Sequence, residues 1–175
     1  NPVEQSGTFD LPEAQLDRFM LLHRLDYPGR EDEQQILMNQ LGMGLKREGG
    51  GAVPRSAFDM IEDDACGSKE DLVAAMEAVQ AVHVSEVFVK HCVELTRRTR
   101  ESKHLDFGCS PRAGLALINA ARARAVMHDR DYVTPDDLFD LAEDVVLHRI
   151  RVTFEASAAG HTGPQVLEEI LAGLG

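Results

Sequence analysis

The sequence predicts a mainly α-helical protein in which a helical bundle follows a remnant of an α/β core. Helical periodicity, bounded by capping residues, recurs through most of the 175 residues. Apolar runs that suit β-strands are few and short: residues 19–25 are the strongest candidate, and residues 83–84 and 152–154 are weaker ones. The remnant is therefore expected to contain one helix and one strand, and the bundle five or six helices.

The first predicted elements are a short helix and the main strand candidate. Pro12 begins the helix, which ends near Asp17, and the apolar run Phe19–Leu25 has the composition of a strand buried in a parallel sheet. Such a strand needs neighbours that bind its backbone N–H and C=O groups, and the chain offers too few of them. We therefore expect this run to be disordered, repacked against the helices, or paired with another copy of the chain.

The next helix follows a turn at residues 27–29. Its first turn is acidic, and its apolar positions include Ile36 and Leu41. Residues 43–67 then lose helical periodicity and include the triplet Gly49-Gly50-Gly51, which predicts a long flexible connection. A connection of that length is functional, mobile or incorrectly assigned.

The remaining helices are predicted from N-terminal capping residues that are followed by apolar positions at helical spacing. These helices begin at Ser68, Ser85, Ser110, Thr134 and Thr162. The apolar faces of the first two are predicted to be Leu72, Met76 and Val79, and Phe88, Cys92 and Leu95.

Composition limits the classes of function. The chain is 43% hydrophobic and can bury a substantial core, and its three cysteines lack CxxC spacing, so reduced thiols in a cytoplasmic protein are expected. A net charge of -12 argues against a protein that binds nucleic acid or an anionic membrane surface. No apolar run reaches the roughly 18 residues of a membrane span, and no signal peptide is recognised. The seven histidines show no metal-ligand spacing, so no metal site is predicted.

Positive charge is concentrated in residues 97–130, where eight Lys or Arg residues accompany three Asp or Glu residues. This segment could bind an anion, or its arginines could pair with acids on neighbouring helices. Arg112 is the most informative of these cations, because Ser110-Pro111 places it in the first turn of a helix, where the helix dipole disfavours a cation. A bound phosphate would reverse that penalty, so Arg112 is a candidate anion ligand. The alternative is a surface arginine paired with a nearby acid.

Arg18 is the second candidate. It lies at the end of the short helix, directly before the predicted strand, and could be presented to a phosphoryl group on a neighbouring subunit as an arginine finger. The residues alone favour a different interpretation, in which the helix dipole and an ion pair with Asp17 or Glu13 hold Arg18 in place.

Four segments together resemble the MoxR family of AAA+ ATPases. They are Asn1–Gln5, Leu11–Phe19, Ser110–Ala113 and Asp131–Asp137, and they occur in the family's order and rough spacing. The resemblance covers nearly the whole chain, from the end of the sensor-1 strand through the C-terminal lid, and is weakest in residues 43–67. It implies that residues 1–29 are the C-terminal remnant of the P-loop α/β core and that residues 30–175 are the helical lid domain.

The resemblance also implies roles for three residues. Asn1 resembles the sensor-1 asparagine that orients the attacking water, and Arg18 resembles the finger supplied to the neighbouring subunit. Arg112 resembles the sensor-2 arginine, which contacts the nucleotide phosphates in its own subunit. The implied cofactors are ATP and Mg²⁺, and the implied activity is ATP hydrolysis coupled to chaperone-like remodelling or maturation of protein complexes. The implied partners are further copies in a ring, expected to be a hexamer, and protein clients such as von Willebrand factor A domain proteins.

The chain contains no GxxxxGK[ST] motif, so we expect the Walker A and Walker B residues to precede Asn1. This fragment alone should then neither hydrolyse ATP nor bind it tightly. A rival function is a stand-alone acidic helical adaptor in which Arg18 and Arg112 form ordinary salt bridges. A DNA-binding helical domain is a third possibility, which the net charge disfavours.

Overall fold

The computed structural model describes residues 11–60 and 66–174, without the side chains of Ala57 and Met60. Most of the described residues lie in helices, and the strands are short and paired in two small sheets. This confirms the predicted mainly helical fold class. No helix in the described ranges is both long enough and apolar enough to cross a membrane. The predicted site residue Asn1 lies outside the described residues.

The regular elements follow one another in an order dominated by α-helices. The helices are α1 Glu13–Leu16, α2 Arg30–Gly42, α3 Lys69–Ala81, α4 Glu86–Glu101, α5 Pro111–Met127, α6 Pro135–Val146, α7 Phe154–Ala158 and α8 Gly163–Ala172. The strands are β1 Leu45–Glu48, β2 Gly51–Pro54, β3 Leu105–Phe107 and β4 Arg151–Val152. Two 3₁₀ helices span Ala57–Met60 and Leu147–Arg149.

The described residues divide into two compact units. One unit is the stretch Arg24–Ala74, and the other combines the described parts of Asn1–His23 and Ala75–Gly175. The predicted domain boundary after residue 29 stays a prediction.

The unit Arg24–Ala74 contains the predicted acidic helix. Helix α2 has three acidic residues in its first turn, where the helix dipole stabilises negative charge. No residue of α2 is buried, and the predicted apolar positions Ile36 and Leu41 are exposed. The helix is therefore confirmed, but its apolar positions remain uncovered in the described part of the chain.

A β-hairpin lies within the segment that the sequence predicts to be a flexible connection. Strands β1 and β2 pair antiparallel, with Glu48 opposite Gly51. Gly49 and Gly50 between them have φ angles of 58° and 84°, which is the left-handed backbone that a two-residue hairpin turn requires and that glycine adopts without steric cost. The hairpin was missed because neither strand shows a clear apolar alternation.

The core of the larger unit lies among α4, α5, α6 and α8, with α5 packed against both α4 and α6. The predicted apolar face of α4 is confirmed, because Phe88, Cys92 and Leu95 are buried. The predicted face of α3 is instead exposed at Leu72 and Met76. Sequence periodicity therefore located both helices, but only α4 buries its predicted face, because no residue of α3 is buried.

The capping residues begin their helices as predicted. Side-chain oxygens of the caps accept hydrogen bonds from backbone N–H groups in the first turn, which satisfies donors that the helix itself cannot pair. Such bonds are formed by Ser68, Ser85, Ser110 and Thr162. Thr134 is paired with Asp137 in a capping box at the start of α6.

The strand predicted at Phe19–Leu25 is not present, and that part of the prediction is wrong. No described strand lies beside this segment, so its backbone groups find other partners. Arg149 and His148 bind the carbonyl oxygen of Phe19, and Leu22 N donates to Asp144 O at 2.9 Å. Residues 19–22 are thus attached to α6 and to the 3₁₀ helix after it through their backbone, but their apolar side chains are exposed, so the expected repacking against the helices is met only for the backbone.

The two weaker strand predictions are correct in part. Val152 pairs with Leu105 in the antiparallel β3–β4 sheet, whereas Phe154 begins α7. His83 forms an isolated parallel bridge with Tyr132. These short pairings connect the loops between the helices of the larger unit.

Candidate functional site

The N-terminus of α5 presents Arg112 as the sequence predicts. Ser110 is the N-cap, and its Oγ accepts a hydrogen bond from Arg112 N at 3.2 Å. Pro111 occupies the first turn, in which there is no acidic residue. The Arg112 side chain is 60% exposed, so a cation lies at the positive end of a helix and remains accessible to an anion.

Asp17 links this helix N-terminus to the N-terminal segment. Both of its carboxylate oxygens lie 2.8 Å from Ser110 Oγ, and Oδ2 accepts a hydrogen bond from Arg112 Nη1 at 3.1 Å. This ion pair is what the alternative interpretation predicts, in which Arg112 is a surface arginine paired with a nearby acid. The remaining N–H groups of the Arg112 guanidinium have no acceptor within hydrogen-bond distance in residues 11–60 and 66–174.

The ionisation of Asp17 is set by its surroundings. Burial by itself would raise the pKa of this carboxyl, but hydrogen bonds from Ser110 and Arg112, and the positive charges of Arg149 and Arg112, hold the pKa below its ordinary value. Asp17 is therefore ionised at neutral pH, and its negative charge retains the Arg112 guanidinium. An incoming phosphate must compete with this carboxylate for Arg112.

Arg149, which the sequence analysis did not single out, completes the cluster. Its side chain is 1% exposed, and Nε lies 3.4 Å from Asp17 Oδ1. Its guanidinium also donates to the backbone oxygens of Asp17, Phe19, Met20 and Val145. The sequence signal that could have indicated a buried arginine is its position in an apolar stretch, close to Val145 and Val146. Both of these valines are buried in the structure.

Arg18 follows Asp17 and is exposed. Its backbone N–H donates to Gln15 O, but its side chain forms no hydrogen bond or ion pair with any other described residue, although the sequence alone favoured pairing with Asp17 or Glu13. Both acids are engaged elsewhere: Asp17 binds Ser110 and Arg112, and Glu13 pairs with Arg151. The Arg18 side chain is therefore not held by either of the two acids beside it.

Most of the other arginines of residues 97–130 have local partners. These pairs lie within α4 or join α5 and the loop after it to α6, as expected if the arginines of this segment pair with acids on neighbouring helices. The ion pairs are Arg97–Glu101, Arg98–Glu94, Arg124–Asp137, Arg124–Asp140 and Arg130–Asp137. Four of the eight basic residues of the segment are therefore neutralised by nearby acids, and Arg112 stands out because its single acidic partner comes from the N-terminal segment.

Metal coordination receives no support from the described ranges. Within them, no group of three or more His, Cys, Asp or Glu side chains is placed to hold a metal ion. The chemistry that the cluster around Asp17 can perform is the binding of an anion by Arg112.

Comparison with known proteins identifies the family. The AAA lid domain matches residues 97–170. Chaperone MoxR1 of Mycobacterium tuberculosis is 32% identical over 180 residues, which cover 98% of this chain and 44% of that protein. The chain belongs to the MoxR family of AAA+ proteins.

Two further proteins are similar to this MoxR-family chain over most of its length. YeaC of Bacillus subtilis is 34% identical over 171 residues, covering 98% of the chain and 49% of YeaC. The crystal structure of a candidate ATPase from Cytophaga hutchinsonii superposes with a TM-score of 0.81 at 32% identity, covering 98% of the chain and 51% of that protein. The chain thus spans about half the length of the relatives it matches.

The family match places the site residues in two groups. Arg112 and Arg149 lie within the part of the MoxR-family chain that matches the AAA lid domain, whereas Asp17 and Arg18 precede that part. The contacts of Asp17 with Ser110, Arg112 and Arg149 therefore join the lid domain to a segment outside it.

Proposed function

We propose that this chain is the part of a MoxR-type ATPase that senses the nucleotide and responds to its hydrolysis. In this proposal Arg112 is the sensor-2 residue, which contacts the phosphates of ATP bound to its own subunit. Arg18 is the arginine finger, which stabilises negative charge on the nucleotide of a neighbouring subunit during phosphoryl transfer. Asn1 is the sensor-1 residue that orients the attacking water.

One observation carries the proposal. Arg112 lies in the first turn of α5, its side chain is 60% exposed, and its guanidinium retains N–H donors that no described residue accepts. An exposed guanidinium with free donors, carried on the first turn of a helix where the dipole is positive, suits a phosphate group. The Arg18 side chain, which pairs with no described residue, supports the second role, because a finger must not be committed to an acid of its own subunit.

ATP and Mg²⁺ are the proposed cofactors of the complete protein. Arg112 fits the nucleotide by charge and by its free donors, while the Walker residues that hold the phosphates and the metal ion are proposed to lie outside this chain. Bound ATP supplies the phosphoryl group that is transferred to water. The contribution of this chain is to bind phosphate oxygens through Arg112 and to release that residue from Asp17 when an anion takes its place.

The wider function is proposed by analogy with the family. The complete protein is a homo-oligomeric ring, expected to be a hexamer, in which ATP hydrolysis drives chaperone-like remodelling or maturation of protein complexes. The name of the M. tuberculosis relative, a chaperone, supports the remodelling role. Clients with von Willebrand factor A domains and a cytoplasmic location are part of the same proposal, and this chain by itself is proposed to be inactive.

The test measures steady-state ATP hydrolysis by the complete protein with Arg18→Ala, Arg112→Ala and Arg97→Ala. Arg97 is the matched control, because its side chain is also 60% exposed and its partner Glu101 lies on the same helix. We expect Arg18→Ala to lower kcat on the order of 10³-fold and Arg112→Ala to weaken ATP binding about tenfold. Arg97→Ala should behave as wild type.

Mixing the two impaired variants separates action within a subunit from action between subunits. An Arg18→Ala subunit keeps Arg112 and can receive a finger from an Arg112→Ala neighbour, so the mixture should regain part of the activity that each variant lacks alone. No recovery in stable mixed rings would contradict the finger role of Arg18. A complete protein that does not hydrolyse ATP would support the rival function, an acidic helical adaptor.

A further inference from the structure

Arg149 is a buried cation that binds mainly backbone oxygens. Its side chain is 1% exposed, and burial lowers its pKa while the charge of Asp17 opposes that shift. An arginine stays protonated in proteins, so a buried one requires acceptors for its N–H groups. Arg149 finds them in four carbonyl oxygens and one carboxylate.

Three of those carbonyls belong to one short turn. Arg149 Nη2 lies 3.2 Å from Asp17 O and also donates to Phe19 O, and Nη1 lies 3.3 Å from Met20 O. These residues surround Arg18, whose own N–H donates to Gln15 O at 3.1 Å at the end of α1. The backbone on both sides of Arg18 is thus fixed, while its side chain has no partner among residues 11–60 and 66–174.

Two further bonds tie the same turn to α6 and to the 3₁₀ helix that follows it. His148 Nε2 lies 3.0 Å from Phe19 O, and Leu22 N donates to Asp144 O at 2.9 Å. Because a carbonyl oxygen is an acceptor only, His148 must carry its proton on Nε2 for this bond to form. The turn is therefore attached to both α6 and the 3₁₀ helix.

The carboxylate of Asp17 extends this connection to Arg112. It lies between Arg149 Nε at 3.4 Å and Arg112 Nη1 at 3.1 Å, and Ser110 Oγ donates to it as well. Arg149 thus binds the backbone oxygens of the residues on either side of Arg18, and it shares the carboxylate of Asp17 with Arg112.

We propose that Arg149 is a positioning residue that fixes the Arg18 turn to the lid helices, so that the finger and Arg112 move as one body. This rests on the proposed function, because it assigns Arg18 and Arg112 their roles at the nucleotide. Arg149 itself touches no nucleotide and acts through the backbone of residues 17–20. Rotation of the lid in one subunit then changes the direction of the finger that it offers to its neighbour.

The test compares Arg149→Lys with Arg151→Lys in the complete protein. Lysine keeps the charge but cannot reach the carbonyls of Asp17, Phe19 and Met20 together. Arg151 is the matched control, because it also pairs with the N-terminal segment, at Glu13, but its side chain is 54% exposed. Arg149→Lys should lower kcat between about tenfold and 100-fold with little change in the KM for ATP, and Arg151→Lys should leave both unchanged.

A double variant separates positioning from a general loss of stability. If Arg149 acts through the finger, adding Arg149→Lys to Arg18→Ala should cause no further loss of kcat. An equal loss of kcat in the presence and in the absence of Arg18 would overturn the proposal. Wild-type turnover by Arg18→Ala would overturn the finger role in the proposed function and the catalytic part of this inference.

Hydrogen exchange tests the structural part without reference to catalysis. The amides of Arg18, Phe19 and Leu22 should exchange at least about tenfold faster in Arg149→Lys than in wild type or Arg151→Lys. Unchanged protection would overturn the proposal. If Arg149→Lys does not fold, His148→Phe serves instead, because it removes one hydrogen bond to the same turn. This variant should lower kcat about two- to fivefold, which is the effect expected of one hydrogen bond. Full turnover by His148→Phe would overturn the proposal.

Discussion

Asp137 accepts hydrogen bonds from both terminal nitrogens of the Arg130 guanidinium. Arg130 Nη2 lies 2.6 Å from Oδ1 and Nη1 lies 2.8 Å from Oδ2, in a two-bond arrangement that matches the planar fork to the carboxylate. Asp137 is 1% exposed and also accepts hydrogen bonds from Thr134 N at 2.8 Å and Arg124 Nε at 3.1 Å. One buried carboxylate thus fastens the end of α5, the following loop and the start of α6.

Replacement of Asp137 by asparagine should strongly destabilise the fold. The amide keeps the shape of the side chain but leaves Arg130 without its negative partner and Arg124 with Asp140 alone. Loss of one member of a buried ion pair costs about 3 to 5 kcal/mol. Urea denaturation of the chain measures the change. Asp140→Asn is the control, because Asp140 is 52% exposed and such pairs contribute about 0 to 1 kcal/mol. Equal effects of the two variants would contradict the central role of Asp137.

Acid should weaken the same junction. Burial would raise the pKa of Asp137, but the hydrogen bonds from Arg130 and Thr134 lower it to about 2. An aspartate in the unfolded chain titrates near pH 3.9, so the stabilising contribution is complete above about pH 4 and is lost as the pH falls towards 2. The midpoint of thermal unfolding should fall over this interval, and the fall should be shallower in Asp137→Asn. Parallel pH profiles would argue against Asp137 as a source of this acid sensitivity.

Substitution of Gly108 should be costly for a steric reason. A Cβ at this position would lie 2.6 Å from Thr99 O and 2.7 Å from Arg100 N, and both are backbone atoms that cannot rotate away. Gly108→Ala is expected to destabilise the protein by about 1 to 3 kcal/mol. Gly114→Ala within α5 is the matched control, since its nearest contact would be Thr96 Cγ2 at 4.0 Å. It should stabilise the helix by roughly 0.5 to 1 kcal/mol, and thermal unfolding of both variants gives the comparison.

The three thiols should differ widely in reactivity. Burial raises the pKa of Cys92 to about 12 and that of Cys109 to about 11, whereas Cys66 is exposed. Because the thiolate is the reactive form, a maleimide reagent at pH 7 should modify Cys66 alone in the folded protein. Modification of all three in urea is the control. Fast labelling of Cys92 under native conditions would show that α4 opens readily.

Much of the fold could be predicted because its signals are local. Ser85, Ser110 and Thr134 mark helix starts through bonds to residues two or three positions ahead, and the face of α4 follows from the spacing of Phe88 and Leu95. The candidate site was predictable for the same reason as far as Arg112, because its position after a cap and a proline is unusual for a cation.

The remainder depends on contacts between distant parts of the chain. Arg149 meets the carbonyls of Asp17 and Phe19 from 132 and 130 positions away, and no spacing rule connects an arginine to backbone oxygens elsewhere. The predicted strand at residues 19–25 failed for a related reason, since an apolar run indicates burial but not which partner satisfies its backbone. Side-chain donors took the place of neighbouring strands.

The way in which Arg149 holds the N-terminal turn has a consequence for sequence change. It recognises main-chain oxygens, which every amino acid provides, and leaves the residues Phe19 and Met20 56% and 43% exposed. Those two positions can therefore be exchanged without weakening the attachment. The surface next to Arg18 can thus be altered to suit a different neighbour while the direction of the arginine is preserved.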